Sequence, residues 1–493
     1  MTEGAKMITG LEKIWKFEVR FDLSNKKYIA ILGYLGNDRK INIPKSIYVN
    51  YEEINVTTIE DNAFADCTDL TSITIPSGVT TIGDDAFARC YNLTSITIPA
   101  SVTTIGGYVF SDCKNLTSVT IPSGVTAIGD SAFSGCQSLT SITIPFGVST
   151  IGEEAFYHCS LSSIIIPSSV VAIGDYAFAD CFELTSVTIP ASVKLFGKYV
   201  FLKCNHLTEV YISSGITTIG EGAFSGCSSL ASITIPASVT TIGDDAFAGC
   251  YNLTSITIPA SVTTIGGYVF TNCKNLTSVT IPSGVTAIGE GAFSHCQSLT
   301  SITLPSGLTS IGNRAFTYCF ELTSITIPSG VTTIGDDAFE CCYNLTSITI
   351  PSGVTTIGQD VFECCYNLTS IILPSGVTAI GDGAFSGCES LTSITLPSGL
   401  TSIGNRAFTD CFELTSITIP ASVTSVGSSA FCEGSYNVYY DNTGIPSTWK
   451  DDWKDEFQGK FYIKSETMPI STPNESNIDG YWHYVNGKPE VLI

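Results

Sequence analysis

Residues 322–342 read LTSITIPSGVTTIGDDAFECC, and residues 343–365 read YNLTSITIPSGVTTIGQDVFECC. The second stretch repeats the first with few changes, and the unit recurs along the chain. The phenylalanine of its A-F or V-F pair returns every 23 residues, apart from one step of 22 residues. A period of this length, with Leu and Ile at fixed offsets, is typical of a leucine-rich solenoid. Seventeen phases of the unit cover about residues 54–432.

The unit follows the pattern C-x-x-L-x-x-I-x-I-P-x-x-V-x-x-I-G-x-x-A-F-x-x-C. In one copy, Ile96 and Ile98 alternate with Ser95 and Thr97, as expected for a strand with one buried face, and Pro99 ends that strand. The V-x-x-I-G segment sends two more apolar side chains inward. The D-D-A-F-x-x-C segment predicts a short helical or 3₁₀ turn, with Asp as its N-cap.

One unit cannot bury its own apolar side, so neighbouring units must stack into a continuous core. We therefore predict an α/β-type repeat solenoid. It is a leucine-rich-repeat curved rod with a parallel β-sheet on the concave face, short 3₁₀ or helical turns and loops on the convex side, and strand-rich caps.

The I-x-I-P, V-x-x-I-G and A-F-x-x-C elements resemble the BspA-type leucine-rich repeats, which are known from bacterial surface proteins and from parasitic protists. The resemblance covers roughly three quarters of the chain. It implies a cell-surface or secreted protein that attaches to host or matrix proteins. A fold does not fix a function, so this implication rests on analogy.

The repeat pattern also predicts the domain boundaries. Residues 1–53 form an N-terminal cap with a β-hairpin-like part and a degenerate repeat, and residues 54–432 form the solenoid. Residues 433–467 form a C-terminal cap in which Trp449 and Trp453 pack over the last coil. Residues 468–493 form a linker and a terminal hairpin whose turn is at Asn486–Gly487.

Composition excludes several partners. The formal net charge is −23, and nucleic-acid binding needs clustered Lys and Arg, so we expect no nucleic acid. No run of 18 apolar residues exists, so we expect no membrane insertion. The N-terminus has no apolar h-region, so no signal peptide is visible, which leaves a cytoplasmic location open as an alternative.

We expect no catalytic residues, no metal site and no cofactor. The sequence has no H-x-x-x-H, no G-x-S-x-G and no Walker-type loop, and its Ser and Thr follow the repeat. A zinc site needs Cys or Cys and His converging on one loop, and the sequence shows no such pattern. The chain is therefore predicted not to be an enzyme.

Of the 19 cysteines, 16 lie three residues after the repeat phenylalanine, once per coil, where a small apolar side chain is buried. We predict free thiols in this cysteine ladder. Cys341 and Cys364 are additional, and they occupy the same phase of adjacent coils. They are predicted either to form an inter-repeat disulfide or to remain two neighbouring reactive thiols.

The least regular coils lie at residues 191–214, where the usual outward Ser and Thr are replaced and lysines gather in an acidic chain. We interpret this region as a mid-array ligand-contact patch on the concave face. The alternatives are drift in a tolerant solenoid, or a seam that accommodates the nearby 22-residue step. Its candidate ligand-binding residues are Lys194, Lys198, Lys203, Glu209 and Tyr211.

The predicted function is that of a non-enzymatic binding or adhesion module, presenting an extended repetitive surface to a protein or glycan ligand. An intracellular structural or assembly scaffold is the alternative, since it fits the missing signal and the many free thiols. Ice binding by the outward Ser and Thr rows is a minor alternative.

Overall fold

A computed structural model describes residues 14–465, 478–485 and 488–492. The chain divides into two compact units, Met1–Tyr251 and Asn252–Ile493. The division falls inside the repeat region, so both units contain the 23-residue coils.

Short strands dominate unit 1, and most of them pair in parallel with the strand at the same position of the next coil. The strands are β1 (Trp15–Phe21), β2 (Lys27–Tyr34), β3 (Lys40–Asn42), β4 (Ser46–Val49), β5 (Glu52–Ile59), β6 (Ser72–Thr74), β7 (Thr81–Ile82), β8 (Ser95–Thr97), β9 (Ser118–Thr120), β10 (Ala127–Ile128), β11 (Thr150–Ile151), β12 (Ser163–Ile165), β13 (Ala172–Ile173), β14 (Ser186–Ile189), β15 (Leu195–Phe196), β16 (Glu209–Ile212), β17 (Thr218–Ile219) and β18 (Thr241–Ile242). Its sheets run in the order β1-β2-β5-β4 with β7 beside β5, then β3-β6-β8-β9, β10-β11-β13-β15, β12-β14-β16 and β17-β18.

Unit 2 continues the same pattern. Its sheets are β19-β20-β22-β24-β26-β28-β30, β21-β23-β25, β27-β29-β31-β33 and β32-β34-β35-β36-β37. The strands are β19 (Ser255–Thr257), β20 (Ser278–Thr280), β21 (Ala287–Ile288), β22 (Ser301–Thr303), β23 (Ser310–Ile311), β24 (Ser324–Thr326), β25 (Thr333–Ile334), β26 (Ser347–Thr349), β27 (Thr356–Ile357), β28 (Ser370–Ile372), β29 (Ala379–Ile380), β30 (Ser393–Thr395), β31 (Ser402–Ile403), β32 (Ser416–Ile419), β33 (Ser425–Val426), β34 (Asn437–Tyr440), β35 (Phe461–Lys464), β36 (Gly480–Val485) and β37 (Lys488–Leu492).

Stacked phenylalanines form the centre of each unit. The repeat phenylalanines are fully buried, and within each unit consecutive rings lie nearly parallel with centroids 5.3–5.7 Å apart. The inward Ile, Val and Leu of each coil are also buried around this stack. Within each unit, the repeat thus places the same apolar group at the same position of every coil, and each ring contacts its counterpart in the next coil of that unit.

The predicted parallel-strand solenoid is confirmed within each unit, but the predicted helical turns are wrong. The described residues contain no helix, and the A-F-x-x-C segment is a run of β-turns. In one coil, Asp85 and Arg89 have φ values of 56° and 58°, in the left-handed region that a right-handed helix does not enter. The N–H groups of Asp85, Phe87 and Arg89 donate to carbonyls of the next coil at 2.7–2.9 Å. These bonds between coils replace the i→i−4 bonds of a helix.

The predicted helix N-cap is also wrong. The aspartate that follows the glycine of V-x-x-I-G accepts a hydrogen bond from a backbone N–H of the next coil instead of capping a helix. Asp336 Oδ1 accepts the backbone N–H of Gln359 at 2.8 Å, and Asn313 Oδ1 accepts that of Asp336 at 3.0 Å. The same contact recurs from Asp84 to Gly107 and elsewhere. A carboxylate or amide oxygen at this position therefore satisfies a backbone donor that the turn leaves without a local acceptor.

We expect Asp336→Ala to lower the free energy of unfolding by about 1–2 kcal/mol, because it leaves the Gln359 N–H without its acceptor. Asp336→Asn keeps the oxygen, as Asn313 does naturally, and should stay within about 0.5 kcal/mol of the parent in urea unfolding. An equal loss in both variants would mean that the charge, and not the acceptor oxygen, stabilises the coil.

The ladder cysteines are buried apart from the half-buried Cys67, and their thiols are free in the structure, as predicted. Ladder Sγ atoms donate to the carbonyl of the phenylalanine in the preceding coil, for example Cys90 to Phe64 at 3.2 Å and Cys342 to Phe316 at 3.3 Å. Burial raises the pKa of Cys342 well above its ordinary value. These thiols are therefore protonated packing groups that also satisfy a carbonyl.

The caps are strand-rich, as predicted. At the N-terminal end β1 pairs antiparallel with β2, and β3 pairs in parallel with the first repeat strand, β6. At the other end Trp449 and Trp453 are buried, and the Trp453 ring meets the last repeat phenylalanine, Phe431, edge-on at 5.9 Å. Strands β36 and β37 pair antiparallel. The predicted turn at 486–487 and most of the predicted linker, residues 468–477, lie outside the described residues.

Candidate ligand-binding face

In each unit, the strands formed by the S-I-T segments of the repeat place their Ser and Thr side chains outward, and these side chains form an exposed Ser/Thr face. In the seven-stranded sheet of unit 2, parallel pairing aligns Ser with Ser and Thr with Thr in neighbouring coils, as in Ser301–Ser324 and Thr303–Thr326. The side chains of these rows are exposed, whereas the isoleucine between them is buried. The 23-residue step produces this order because it returns the same residue type to the same register position.

The Ser/Thr face of unit 1 is interrupted on the sheet β12-β14-β16. Ile165, Thr188 and Tyr211 are register partners in one row, so an exposed aliphatic side chain and an exposed phenol flank a threonine. Ile165 is 82% exposed and Tyr211 is 59% exposed. In the parallel row, Glu209 takes the position of a serine, and Tyr211 Oη lies 3.4 Å from Glu209 Oε2. We call Ile165, Thr188, Glu209 and Tyr211 the strand patch.

The structure brings together two of the five residues predicted as ligand contacts, Glu209 and Tyr211, both on β16. Lys194 directly precedes β15, in a different sheet, and its Nζ donates to the Ala191 carbonyl at 3.1 Å.

Lys198 and Lys203 lie on the turn segment of their coil, and neither belongs to the strand patch. Lys198 Nζ forms a 2.7 Å ion pair with Glu221, and Tyr199 Oη donates to the same carboxylate at 2.9 Å. Hydrogen bonds from Lys198 and Tyr199 lower the pKa of Glu221. Lys203 is exposed. The lysines that are adjacent in sequence therefore do not form one surface with Glu209 and Tyr211.

Sequence reasoning missed Ile165 as a member of this patch. The sequence does distinguish Ile165, because residues 163–166 read SIII where most copies read SITI. The outward threonine of the repeat is thus replaced by isoleucine. Phe146, which is 75% exposed and follows the strand-ending proline of the preceding coil, carries a similar signal. An alignment of outward positions alone would have found both residues.

The additional cysteines lie on adjacent turn segments, with Cys341 buried and Cys364 half-buried. The two segments are hydrogen-bonded, since the Cys341 N–H donates to the Glu363 carbonyl at 2.7 Å. Burial is the main cause that raises the pKa of Cys341 to about 12, and burial also raises the pKa of Cys364. Since the thiolate is the nucleophile, these environments favour weakly reactive thiols.

Two open grooves on the described surface lie against strands of the Ser/Thr face. An open groove of about 410 Å³ lies on the sheet face between β6 and β8, lined in part by Ser72, Thr74, Ser95 and Thr97.

Among the described residues, one group of three possible metal ligands has its ligand atoms within 4.8 Å of one another: Cys432, Glu433 and Glu456, beside the C-terminal cap. Both of these carboxylates are exposed, and the Cys432 thiol donates to Glu456 at 3.6 Å.

In the described part of the chain, no helix is long and apolar enough to cross a bilayer.

Comparison with solved structures found bacterial leucine-rich repeat proteins. A leucine-rich repeat protein from Bacteroides ovatus is 26% identical, with a TM-score of 0.48, over 91% of this chain and 98% of that chain. A leucine-rich cell surface protein from Faecalibacterium prausnitzii is 28% identical, with a TM-score of 0.41, over 84% and 95%. The pneumococcal vaccine antigen PcpA is 20% identical, with a TM-score of 0.39, over 94% and 95%.

The comparison with curated proteins gave no match. The family model of the BspA-type leucine-rich repeat region, which contains six copies of the repeat, matches residues 42–159, 126–254, 240–369 and 355–471. These overlapping matches cover most of the chain and carry the I-x-I-P, V-x-x-I-G and A-F-x-x-C elements from which each coil is built. This chain belongs to the BspA-type leucine-rich repeat family.

Proposed function

We propose that this chain is a non-enzymatic binding or adhesion module that recognises a protein or glycan ligand through the strand patch. The observation that carries the proposal is the row Ile165–Thr188–Tyr211 with Glu209 beside it, at outward positions that hold Ser or Thr in most other coils. Exposed aromatic and apolar side chains that interrupt a polar surface are typical of binding contacts.

The chemistry of the strand patch suits a ligand with both apolar and polar groups. The Tyr211 phenol offers a broad apolar surface and a hydroxyl, and Ile165 offers an aliphatic contact of low polarity. Glu209 supplies a carboxylate that can accept hydrogen bonds from hydroxyl, amide or ammonium groups. A segment of a host or matrix protein, or an oligosaccharide, presents this combination of groups.

A surface or secreted location accompanies this proposal, because family relatives include cell-surface proteins, such as the one from Faecalibacterium prausnitzii. An intracellular assembly scaffold is the alternative, and the buried free thiols support it because they persist in reducing compartments. Surface labelling of intact cells separates the two, since a purely internal pool contradicts adhesion.

The aligned Ser/Thr rows support the minor alternative, ice binding, which a thermal-hysteresis measurement distinguishes.

The test returns the strand patch to the repeat consensus with Ile165→Thr and Tyr211→Thr. Against an array of matrix proteins and glycans, we expect the double variant to lose binding on the order of 10- to 30-fold, as for a central contact residue of an interface. The substitutions introduce the residue that neighbouring coils already carry, so the fold should be retained.

Ile372→Thr is the matched control, because Ile372 is 69% exposed at the equivalent strand position of unit 2. It should leave binding unchanged. If the double variant binds its ligand as tightly as the parent, the strand patch is not the binding site.

A further inference from the structure

The tetrapeptide Glu-Cys-Cys-Tyr occurs twice, at 340–343 and 363–366, and places a second cysteine next to the ladder in two adjacent coils. The backbone N–H of Cys341 donates to the carbonyl of Glu363 at 2.7 Å, so the two turn segments are directly hydrogen-bonded. Cys341 and Cys364 occupy the same position of these adjacent, hydrogen-bonded segments, 23 residues apart. Two sulfur atoms from different coils are therefore neighbours.

These two thiols differ from the ladder thiols in their partners. Ladder residues Cys342 and Cys365 direct their Sγ to phenylalanine carbonyls at 3.3 Å and 3.2 Å. Cys341 and Cys364 instead each precede a phenol by two residues, Tyr343 and Tyr366 respectively. A phenol hydroxyl at this position can donate a hydrogen bond to a thiolate.

The spacing of the two coils is visible in the neighbouring rings. Tyr343 and Tyr366 stack with centroids 4.8 Å apart, which matches the usual separation of hydrogen-bonded strands. A disulfide would require the two sulfur atoms to approach each other to about 2.05 Å, well below the spacing of the coils. A metal ion between the two sulfurs, with metal–sulfur bonds of about 2.3 Å, would instead hold them at a distance close to the coil spacing.

We propose that Cys341 and Cys364 form a two-coordinate site for a soft, thiophilic metal ion, of which Cu(I) is the biological member. Binding converts one monovalent ion and two thiols into a bis-thiolate complex and releases two protons, without oxidation or reduction. Thiolates are the ligands that select such ions. The hydroxyls of Tyr343 and Tyr366 donate to the metal-bound sulfurs as outer partners that orient the ligands.

The next coil leaves the Cys364 sulfur accessible to an ion from outside. Gly387 occupies the position equivalent to Cys364 in the next coil, and a Cβ there would lie 3.4 Å from Cys364 Sγ. The glycine thus leaves the outer side of that sulfur uncovered by a side chain, and Cys364 is half-buried, whereas Cys342 and Cys365 are fully buried. An ion can therefore reach Cys364 without the ladder opening.

The test uses Ag(I) as the probe, because it prefers the same two-coordinate thiolate geometry and keeps one oxidation state. We expect the full, reduced chain to retain one Ag(I) per molecule in native mass spectrometry after dialysis against imidazole. Cys341→Ser and Cys364→Ser should each weaken retention by at least tenfold. The double variant Tyr343→Phe, Tyr366→Phe should weaken it less, because both sulfurs remain.

Cys67→Ser is the control, since Cys67 is a half-buried ladder cysteine with no additional cysteine beside it. It should keep the full affinity, and circular dichroism checks that every variant is folded. Retention that survives both Cys341→Ser and Cys364→Ser would overturn the proposal, as would equal loss in Cys67→Ser. A Cys341–Cys364 disulfide in peptide maps of protein purified without reductant would overturn it in favour of a covalent link.

Discussion

Gly381→Ala is expected to destabilise unit 2 by about 3 kcal/mol, although it adds a single methyl group. A Cβ at Gly381 would lie 2.6 Å from both the carbonyl carbon and the oxygen of Gly358 in the preceding coil. Both atoms belong to the backbone, so no side chain can move aside to relieve the contact. The coils would have to separate locally, which weakens the hydrogen bonds and the ring stacking between them.

Gly399→Ala is the matched control, because Gly399 lies in the next turn of the same unit and is also a repeat glycine. A Cβ there would approach the Ser375 carbonyl oxygen at 3.7 Å, an ordinary van der Waals contact. We expect this variant to be neutral or stabilised by up to about 1 kcal/mol, since alanine restricts the unfolded chain. Urea unfolding of both variants measures the difference.

Equal stabilities for the two variants would mean that the coils can part at little cost. That result would contradict the close packing on which the glycine argument rests. The same contrast explains why the two glycines of the repeat differ in importance. The glycine of V-x-x-I-G is required because the backbones of consecutive coils approach each other there, whereas the glycine of P-S-G only facilitates a turn.

The sequence predicts the strands well, because their signal is local and repeated. The alternation Ser95, Ile96, Thr97 followed by Ile98 and Pro99 sets both the strand and its end, and β8 covers Ser95–Thr97. The parallel register follows from the 23-residue step, which all but one pair of consecutive coils keep. The packing of Trp453 on Phe431 could also be predicted, since the last coil needs an apolar cover.

The turn segment could not be predicted from local signals. The pattern D-D-A-F-x-x-C resembles a capped helical turn, and only the left-handed φ values at Asp85 and Arg89 show that the chain bonds to the next coil instead. Helix propensity is a weak preference that contacts between coils override. A pattern read along one coil does not contain the acceptors that the neighbouring coil supplies.

The candidate site was half predicted for a related reason. Glu209 and Tyr211 stand out against the repeat and lie on the same strand, so sequence comparison found them together. Lys198 lies close in sequence, yet it lies on the turn segment and pairs with Glu221 of the next coil. In a solenoid, nearby residues on different sides of one coil are separated, whereas residues 23 or 46 positions apart, such as Ile165 and Tyr211, share a surface.

Phe293→Ala should lower the free energy of unfolding of unit 2 by about 3–5 kcal/mol. The Phe293 ring is fully buried and stacks on Phe270 at 5.4 Å and on Phe316 at 5.5 Å. Its removal deletes two ring contacts and leaves a cavity that the regular coils on either side cannot fill, because their backbones are held by hydrogen bonds in register. Phe412→Ala, at a ring that is 51% exposed, should change stability by less than about 0.5 kcal/mol.

The location of the damage tests the argument further. Each coil contacts only its neighbours, so the stability of an array is a sum of coil and interface contributions. Hydrogen exchange should therefore show the largest loss of protection in the coils around residues 270–316, with little change near the C-terminal cap. A uniform loss of protection across unit 2, or equal destabilisation by Phe412→Ala, would show that the stacked rings do not set the stability of individual coils.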